Sequence, residues 1–369
     1  MQDNSIVVDV RMINSSGIGT YLKNLLPIIA KKFDLTLLGN KEELNEMGWV
    51  DLRNVISFDA NIYSIREQLL FPFIVPQTSL LWIPHFNAPL FPVRAKNIIT
   101  TIHDVNHLAY RQDGFKIKHR YAKKLIDNSV LKSQKIITVS QFSKKEILKF
   151  TKSEEKKINV IYNGMDADFY KDPSGDQDVN LPKLYFLFVG NVKPHKNLIT
   201  LLKAYMILPD YLRKRYKIVV LGKRDGFITP DKEIRYFIEK NNLEHSIHFT
   251  GYLNDNMIAS LYKKATIFIF PSNYEGFGLP LLESMACDTP VICSNIPCFI
   301  EIAGDAALYF DQNKPVSLSE KIIQFIENKD LRDEFIEKGK IRIKRYAWKK
   351  AADEHMAIFK EIIDREEYV

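Results

Sequence analysis

Two glutamates frame a glycine-bearing turn in the run Glu275-Gly276-Phe277-Gly278-Leu279-Pro280, closed by Glu283. The run follows an apolar strand pattern over 265–270 and opens a helical pattern over 279–286. Glycine at a strand-to-helix turn lets backbone come close to a ligand. The free N–H groups at a helix start, aided by its dipole, suit phosphate oxygens. Two carboxylates would repel that phosphate, so they fit hydroxyls at the two ends of a larger ligand. One would take a sugar and the other a ribose, with the helix-start N–H groups on the phosphate oxygens between them. The same residue types would also serve a plain turn with solvated carboxylates.

Other residues with chemical capacity stand at similar strand ends. Ser15-Ser16-Gly17-Ile18-Gly19 follows the first strand pattern and opens a helix. With Leu22 in the last position it is a G-x-G and not the full dinucleotide fingerprint; its N–H groups suit a diphosphate or an acceptor. His103 follows the pattern over 98–102, and His85 stands in Pro84-His85-Phe86-Asn87 after that over 80–83. The carboxyl ends of strands are where open parallel sheets bind ligands. Lys196 is expected to begin a helix after Gly190, and Lys223 follows Gly222; a cation in either place can neutralise a departing diphosphate without a metal. Asp166-Ala167-Asp168 is formally D-x-D, but no H-x-x-x-H or His/Cys cluster accompanies it, so no metal site is expected.

These residues need a scaffold of alternating strands and helices. Strand patterns over 6–10, 35–38, 80–83, 98–102 and 136–139 alternate with helical ones over 18–31, 116–131 and 142–149. Near-continuous apolar strands between helices predict a parallel sheet covered on both faces. The polar stretch 171–182, KDPSGDQDVNLP, reads as a linker. The pattern then restarts with strands over 184–189, 216–221, 247–249, 265–270 and 290–293, and helices over 197–208 and 279–286. A last amphipathic helix covers 348–363, with Ala351, Ala352, Met356, Phe359 and Ile363 towards one side. The expected domains are 1–170 and 183–345, each of nucleotide-binding type, followed by a terminal helix over 346–369.

Composition narrows the class. The chain of 369 residues is 46% apolar, enough for two cores. Cys287, Cys293 and Cys298 are an odd count without a CxxC pair, which favours buried, reduced thiols in a cytoplasmic protein. The start has no basic region before an apolar run, and no stretch approaches the ~18 apolar residues of a membrane span. The most apolar stretch, 69–84, is interrupted by Pro72, Pro76, Gln77 and Thr78 and reads as a helix end, a turn and a buried strand. The net charge is +7, but residues 94–157 hold 16 Lys or Arg against 6 Asp or Glu. Lys116, Lys118, Arg120, Lys123 and Lys124 are the densest group. That face is either solvated or drawn to an anionic membrane surface. No nucleic-acid recognition motif surrounds it, so a nucleic-acid partner is not expected.

The spacing from Glu275 to Glu283 resembles the E-x7-E signature of family 4 glycosyltransferases, also called glycosyl transferases group 1. Further segments fit in the same order: Ser16-Gly17-Ile18-Gly19-Thr20-Tyr21, Ile102-His103-Asp104-Val105, Val139-Ser140, Tyr162-Asn163-Gly164-Met165-Asp166, Val189-Gly190 and Pro194-His195-Lys196-Asn197. Together they span almost the whole chain. The resemblance implies the GT-B architecture: two facing Rossmann-like doubly wound domains, with the terminal helix crossing back to the first. It implies a retaining, metal-independent glycosyltransferase using a nucleotide-diphosphate sugar, with no cofactor. His103, Lys196 and Glu275 would be catalytic. Gly17, Gly19, Gly190, Lys223, Phe277, Gly278, Leu279 and Glu283 would bind the donor, and Ser16 and Ser140 would lie on the acceptor side. Asn191 stands where the family often has an Arg, so Lys223 or Arg224 would supply a second cation. The glycine turn resembles that of mannosyltransferase-like members, which implies GDP-mannose first and UDP-sugars next, with a saccharide or lipid-linked saccharide as acceptor. A sugar-nucleotide epimerase and a non-catalytic nucleotide-sugar binding protein are the rival readings.

Overall fold

The computed structural model describes residues 5–109, 116–166, 181–222, 232–251 and 253–364. The chain forms two units, Met1–Gly164 with Ala347–Val369, and Met165–Tyr346. The predicted linker 171–182 lies outside the described residues except at 181 and 182.

The first unit is built on a seven-stranded sheet of β1 (Ser5–Asp9), β2 (Asp34–Gly39), β3 (Val55–Ser57), β4 (Thr78–Ile83), β5 (Ala95–Thr101), β6 (Lys135–Thr138) and β7 (Ile158–Val160). Every pairing is parallel and the order is β3-β2-β1-β4-β5-β6-β7. All six residues of β4 are buried, as expected of a central strand covered on both faces. The second unit repeats the plan with β8 (Tyr185–Val189), β9 (Lys217–Leu221), β10 (Ile247–Phe249), β11 (Ile267–Phe270), β12 (Val291–Ser294) and β13 (Leu308–Phe310), ordered β10-β9-β8-β11-β12-β13. In both sheets the chain works outwards from the first strand, then returns to its other side. The crevice where that direction reverses, beyond the strands' carboxyl ends, is the binding place of doubly wound folds. It lies beside β1 and β4 in the first unit, and beside β8 and β11 in the second.

The final helix, Trp348–Asp364, belongs to the first unit, where it packs on the helix Ser16–Ile29 and on β4. Its buried face adds Trp348, His355 and Ile362 to the expected one and loses Met356: His355 is fully buried, whereas Met356 is only half-buried. The imidazole is accepted in the core because both nitrogens are bonded. Nδ1 donates to the Ala351 carbonyl at 2.6 Å, which leaves Nε2 to accept from the Tyr21 hydroxyl at 2.5 Å. The Tyr21 oxygen meets the Thr101 hydroxyl at 3.2 Å, and that hydroxyl accepts from Trp82 Nε1 at 3.0 Å. Burial pushes the His355 pKa down to about 4, so the ring is neutral near pH 7.

Candidate active site

In the second unit, the reversal point brings together residues far apart in sequence. Gly190 follows β8, and the chain then makes a short turn, Pro194–Lys196, before the helix Leu198–Ile207. Lys196 thus precedes that helix and does not begin it. Asn197, in the left-handed region at φ 55°, fastens this turn to the segment after β11. Its Nδ2 donates to the Pro271 carbonyl at 3.0 Å and the Asn273 side chain at 3.1 Å, while the Asn273 N–H donates to the His195 carbonyl at 2.7 Å. The two loops are thereby held in register, and Lys196 Nζ donates to Glu275 Oε1 at 2.6 Å. Ser272 Oγ donates to the same oxygen at 2.8 Å. Both members of the ion pair keep part of their side chains in contact with solvent, at 19% and 14% exposure. The pair is therefore anchored but reachable.

Gly278 caps the helix Leu279–Ala286 at φ 96°, a conformation that a side chain would strain. An added Cβ there would also crowd Phe299 at 3.0 Å and Leu281 at 3.2 Å. Phe277 and Leu279 are buried, so they can offer their backbone to a ligand but little side chain. Glu283, one turn into the helix, accepts from the buried Tyr262 hydroxyl at 2.8 Å, which orients its carboxylate. Residue types alone did not single out Tyr262. The structure thus gathers Gly190, Lys196, Glu275, Phe277, Gly278, Leu279 and Glu283 around the ends of β8 and β11. Lys223 and Arg224 lie outside the described residues.

The first unit has a different chemistry at its reversal point. Asp9 ends β1, and Arg11 just beyond it donates to Asp9 Oδ2 at 2.5 Å and Glu67 Oε1 at 2.6 Å. His85, after β4, meets Asp9 Oδ2 through Nε2 at 3.1 Å, and Asn87 donates to Glu67 Oε2 at 2.5 Å. Burial works against ionised Asp9, but the charge and hydrogen bonds of Arg11, joined by His85, outweigh it and hold the carboxyl well below its usual range. Glu67 is shifted the other way, because its desolvation exceeds what Arg11 returns. Against Asp9, His85 Nε2 is a donor, and Nδ1 has no partner among the described residues. The position of His85 after a strand was legible in the sequence; its carboxylate partner was not, although Asp9 directly ends the first apolar strand.

Other expected first-unit residues are placed as follows. His103 follows β5, and its Nε2 meets the Pro84 carbonyl at 3.0 Å while its ring stands edge-on to Tyr21 at 4.8 Å. Burial lowers its pKa to about 4, so it is a neutral ring near pH 7. Ser140 is buried and accepts from the Ser143 N–H at 3.0 Å, capping the helix Gln141–Phe150. Ser16 and Gly17 are exposed at the start of the first helix. An added Cβ at Gly19 would come within 2.5 Å of the Ile13 carbonyl oxygen, so packing alone requires glycine there; Gly17 has open space and no such demand. Of the D-x-D segment only Asp166 is described. Among the described residues no group of three or more His, Cys, Asp or Glu is placed to hold a metal ion. Cys287, Cys293 and Cys298 are buried free thiols, and burial pushes Cys287 up to about 12, so it is no nucleophile.

Two doubly wound units, with a cation–carboxylate pair and a helix start at the reversal point of the second, define the GT-B class of fold. Residues 16–169 match the family described as Glycosyltransferase Family 4, and residues 174–342 match Glycosyl transferases group 1. The chain is 30% identical over 283 residues to O-antigen chain mannosyltransferase B of Escherichia coli, covering 74% of each chain. It is 32% identical over 231 residues to O-antigen chain mannosyltransferase RfbU of Salmonella typhimurium, covering 62% of this chain and 60% of that one. Among solved structures, HepE of Anabaena, in complex with UDP and glucose, superposes with a TM-score of 0.78 at 18% identity, over 96% of this chain and 99% of that one. The chain belongs to the family 4 glycosyltransferases, the glycosyl transferases group 1.

Proposed function

We propose that this glycosyltransferase is a retaining, metal-independent hexosyltransferase that moves mannose from GDP-mannose to a saccharide or lipid-linked saccharide in cell-surface polysaccharide synthesis. The observation that carries the reading is the Lys196–Glu275 pair, 2.6 Å apart and part-exposed, beside the helix start at Gly278. The diphosphate would lie against the N–H groups of Phe277, Gly278 and Leu279, with Lys196 on its leaving oxygen and Gly190 beside it; Lys223, outside the described residues, is the candidate second cation. Glu275 would hold the sugar hydroxyls and Glu283, steadied by Tyr262, the ribose. In the first unit, the open space at Gly17 and the neighbouring Gly19 and Ser16 would admit the donor phosphates or the acceptor. His103, neutral near pH 7, would touch the transferred sugar, and Ser140 would act only by shaping the acceptor side.

The bond from the anomeric carbon to the diphosphate breaks as that to the acceptor oxygen forms on the same face. The acceptor proton passes to the departing phosphate. The nucleoside diphosphate leaves with its charge met by Lys196 and the helix start, a preorganised electrostatic role needing no metal or covalent intermediate. The mannose assignment is supported by the O-antigen mannosyltransferases among its relatives. The structural likeness to HepE, whose complex holds UDP and glucose, favours a UDP-sugar as the second reading. The basic first-unit face and the lipid-linked acceptor together suggest a protein held at the cytoplasmic side of an anionic membrane.

The test is a thermal-shift screen against GDP, UDP and their sugars, followed by transfer assays with the best donor, with and without EDTA. Stabilisation by GDP-mannose and EDTA-resistant transfer are expected. Stabilisation by UDP-sugars alone would replace the donor, and loss of transfer in EDTA restored by Mn²⁺ would overturn metal independence. Release of a free epimer without acceptor would favour an epimerase.

A further inference from the structure

On the helix Ile65–Ile74 three apolar residues face solvent while two polar ones are buried. Glu67 and Gln68 are buried with Phe71, while Ile65, Leu69 and Phe73, spaced by four residues, are 74%, 53% and 84% exposed. A surface helix of a water-bathed domain carries the opposite arrangement. The stripe cannot roll inward, because Glu67 holds Arg11 and Gln68 holds Asn87 and the Leu90 N–H. It runs about 12 Å along the helix at 1.5 Å per residue. Phe91, 46% exposed, extends it through the loop fixed by Gln68. That loop is also held from the helix Lys116–Lys132, whose Lys132 Nζ donates to the Pro89 and Leu90 carbonyls at 2.8 Å.

The exposed charges of the Ile65–Ile74 helix and of residues 86–96 carry one sign. Arg66 and Arg94 are exposed, and the one carboxylate on the Ile65–Ile74 helix or in residues 86–96 is Glu67, buried against Arg11. Apolar side chains beside exposed cations, on segments with no exposed carboxylate, match an anionic bilayer surface. A second copy docked through the same face would bring like charges together. We propose that the Ile65–Leu69–Phe73 stripe, extended by Phe91, is an interfacial anchor that enters the headgroup boundary of an anionic membrane. This deepens, and rests on, the membrane part of the functional reading. It also moves the anchor: Lys123 is paired with Asp127 and Lys132 is bonded to carbonyls, so the basic helix contributes Arg120 and Lys124 as attraction and not as the anchor. The side chains of Lys116 and Lys118 lie outside the described residues.

The experiment is flotation of the full chain with phosphatidylcholine vesicles and with phosphatidylcholine–phosphatidylglycerol vesicles, at low and high salt, without donor. Leu69→Gln with Phe73→Gln should lower partitioning onto the anionic vesicles at least about tenfold, with an unchanged melting temperature, since both sites are exposed. Arg120→Ser with Lys124→Ser should lower only the low-salt binding. A Phe73→Trp variant should blue-shift its fluorescence on anionic vesicles. Unchanged flotation of the glutamine variant, or no blue shift, overturns the anchor. If the serine variant alone then abolishes binding, the basic-face reading stands without it; if wild type does not float, both fall. A wild-type dimer made monomeric by the glutamine variant would assign the stripe to self-association and overturn the proposal.

Discussion

His355 makes the first unit sensitive to mild acid, and the size of the effect follows from its surroundings. The folded ring titrates near pH 4 because it is fully buried, against an ordinary value of 6.5. The unfolded chain therefore binds the proton first as pH falls, and stability drops through that window. His355 contributes its full share above about pH 6.5 and has lost it near pH 4. The fall from 6.5 to about 4 corresponds to about 3 kcal/mol. His103, lowered to about 4 in the same unit, acts in the same direction. Glu67, raised by its burial, acts in the opposite direction, gaining stability as pH falls towards its ordinary range. The assay is urea unfolding followed by tryptophan fluorescence. It reports this unit alone, because Trp49, Trp82 and Trp348 all belong to it. His355→Gln keeps an acceptor for Tyr21 but cannot titrate. It should remove roughly half of the stability lost between pH 6.5 and pH 4.5. An identical pH slope in wild type and variant would refute the reasoning.

Four further outcomes are expected. Lys196→Ala should lower kcat by the equivalent of about 2–4 kcal/mol with little change in melting temperature, read from initial rates at saturating donor. Glu283→Ala should weaken nucleotide binding by about 2 kcal/mol, and Tyr262→Phe by less, both measured by calorimetry against the preferred nucleoside diphosphate. Gly164→Ala should destabilise the first unit by about 3 kcal/mol or more, because its Cβ would fall 2.1 Å from the Trp348 backbone nitrogen; fluorescence-monitored unfolding checks this. Transfer should persist in EDTA at the same initial rate as in its absence.

Much of the scaffold was legible because the central strands are near-continuous apolar runs, such as 80–83, which no helix period explains. The strands that escaped, Val55–Ser57, Ile158–Val160 and Leu308–Phe310, have only three residues each and lie at sheet edges, where one flank lacks a partner and the apolar signal fades. The Glu275–Glu283 turn was readable since its residues are contiguous in sequence. The Lys196–Glu275 pair was not readable as a contact, because 79 residues separate its members and only the β8–β11 adjacency joins them. The Asp9–Arg11–Glu67–His85 network escaped for a similar reason: Glu67 sits in an apolar helix, where a single acid reads as a solvated residue. His355 was passed over for Met356, since hydropathy ranks a methionine above an imidazole whose two hydrogen bonds are not visible in sequence.

The two passages between units, at Gly164/Met165 and Tyr346/Ala347, leave the first unit split across both ends of the chain. During synthesis, the second unit has all of its residues as soon as position 346 emerges. The first must wait, with the Tyr21–Trp82–Thr101 face uncovered, until the helix bearing His355 and Phe359 leaves the ribosome. Its early strands are therefore held open longest although they are made first. A nascent chain arrested before residue 348 would expose that face to chaperones and proteases while carrying a complete second unit.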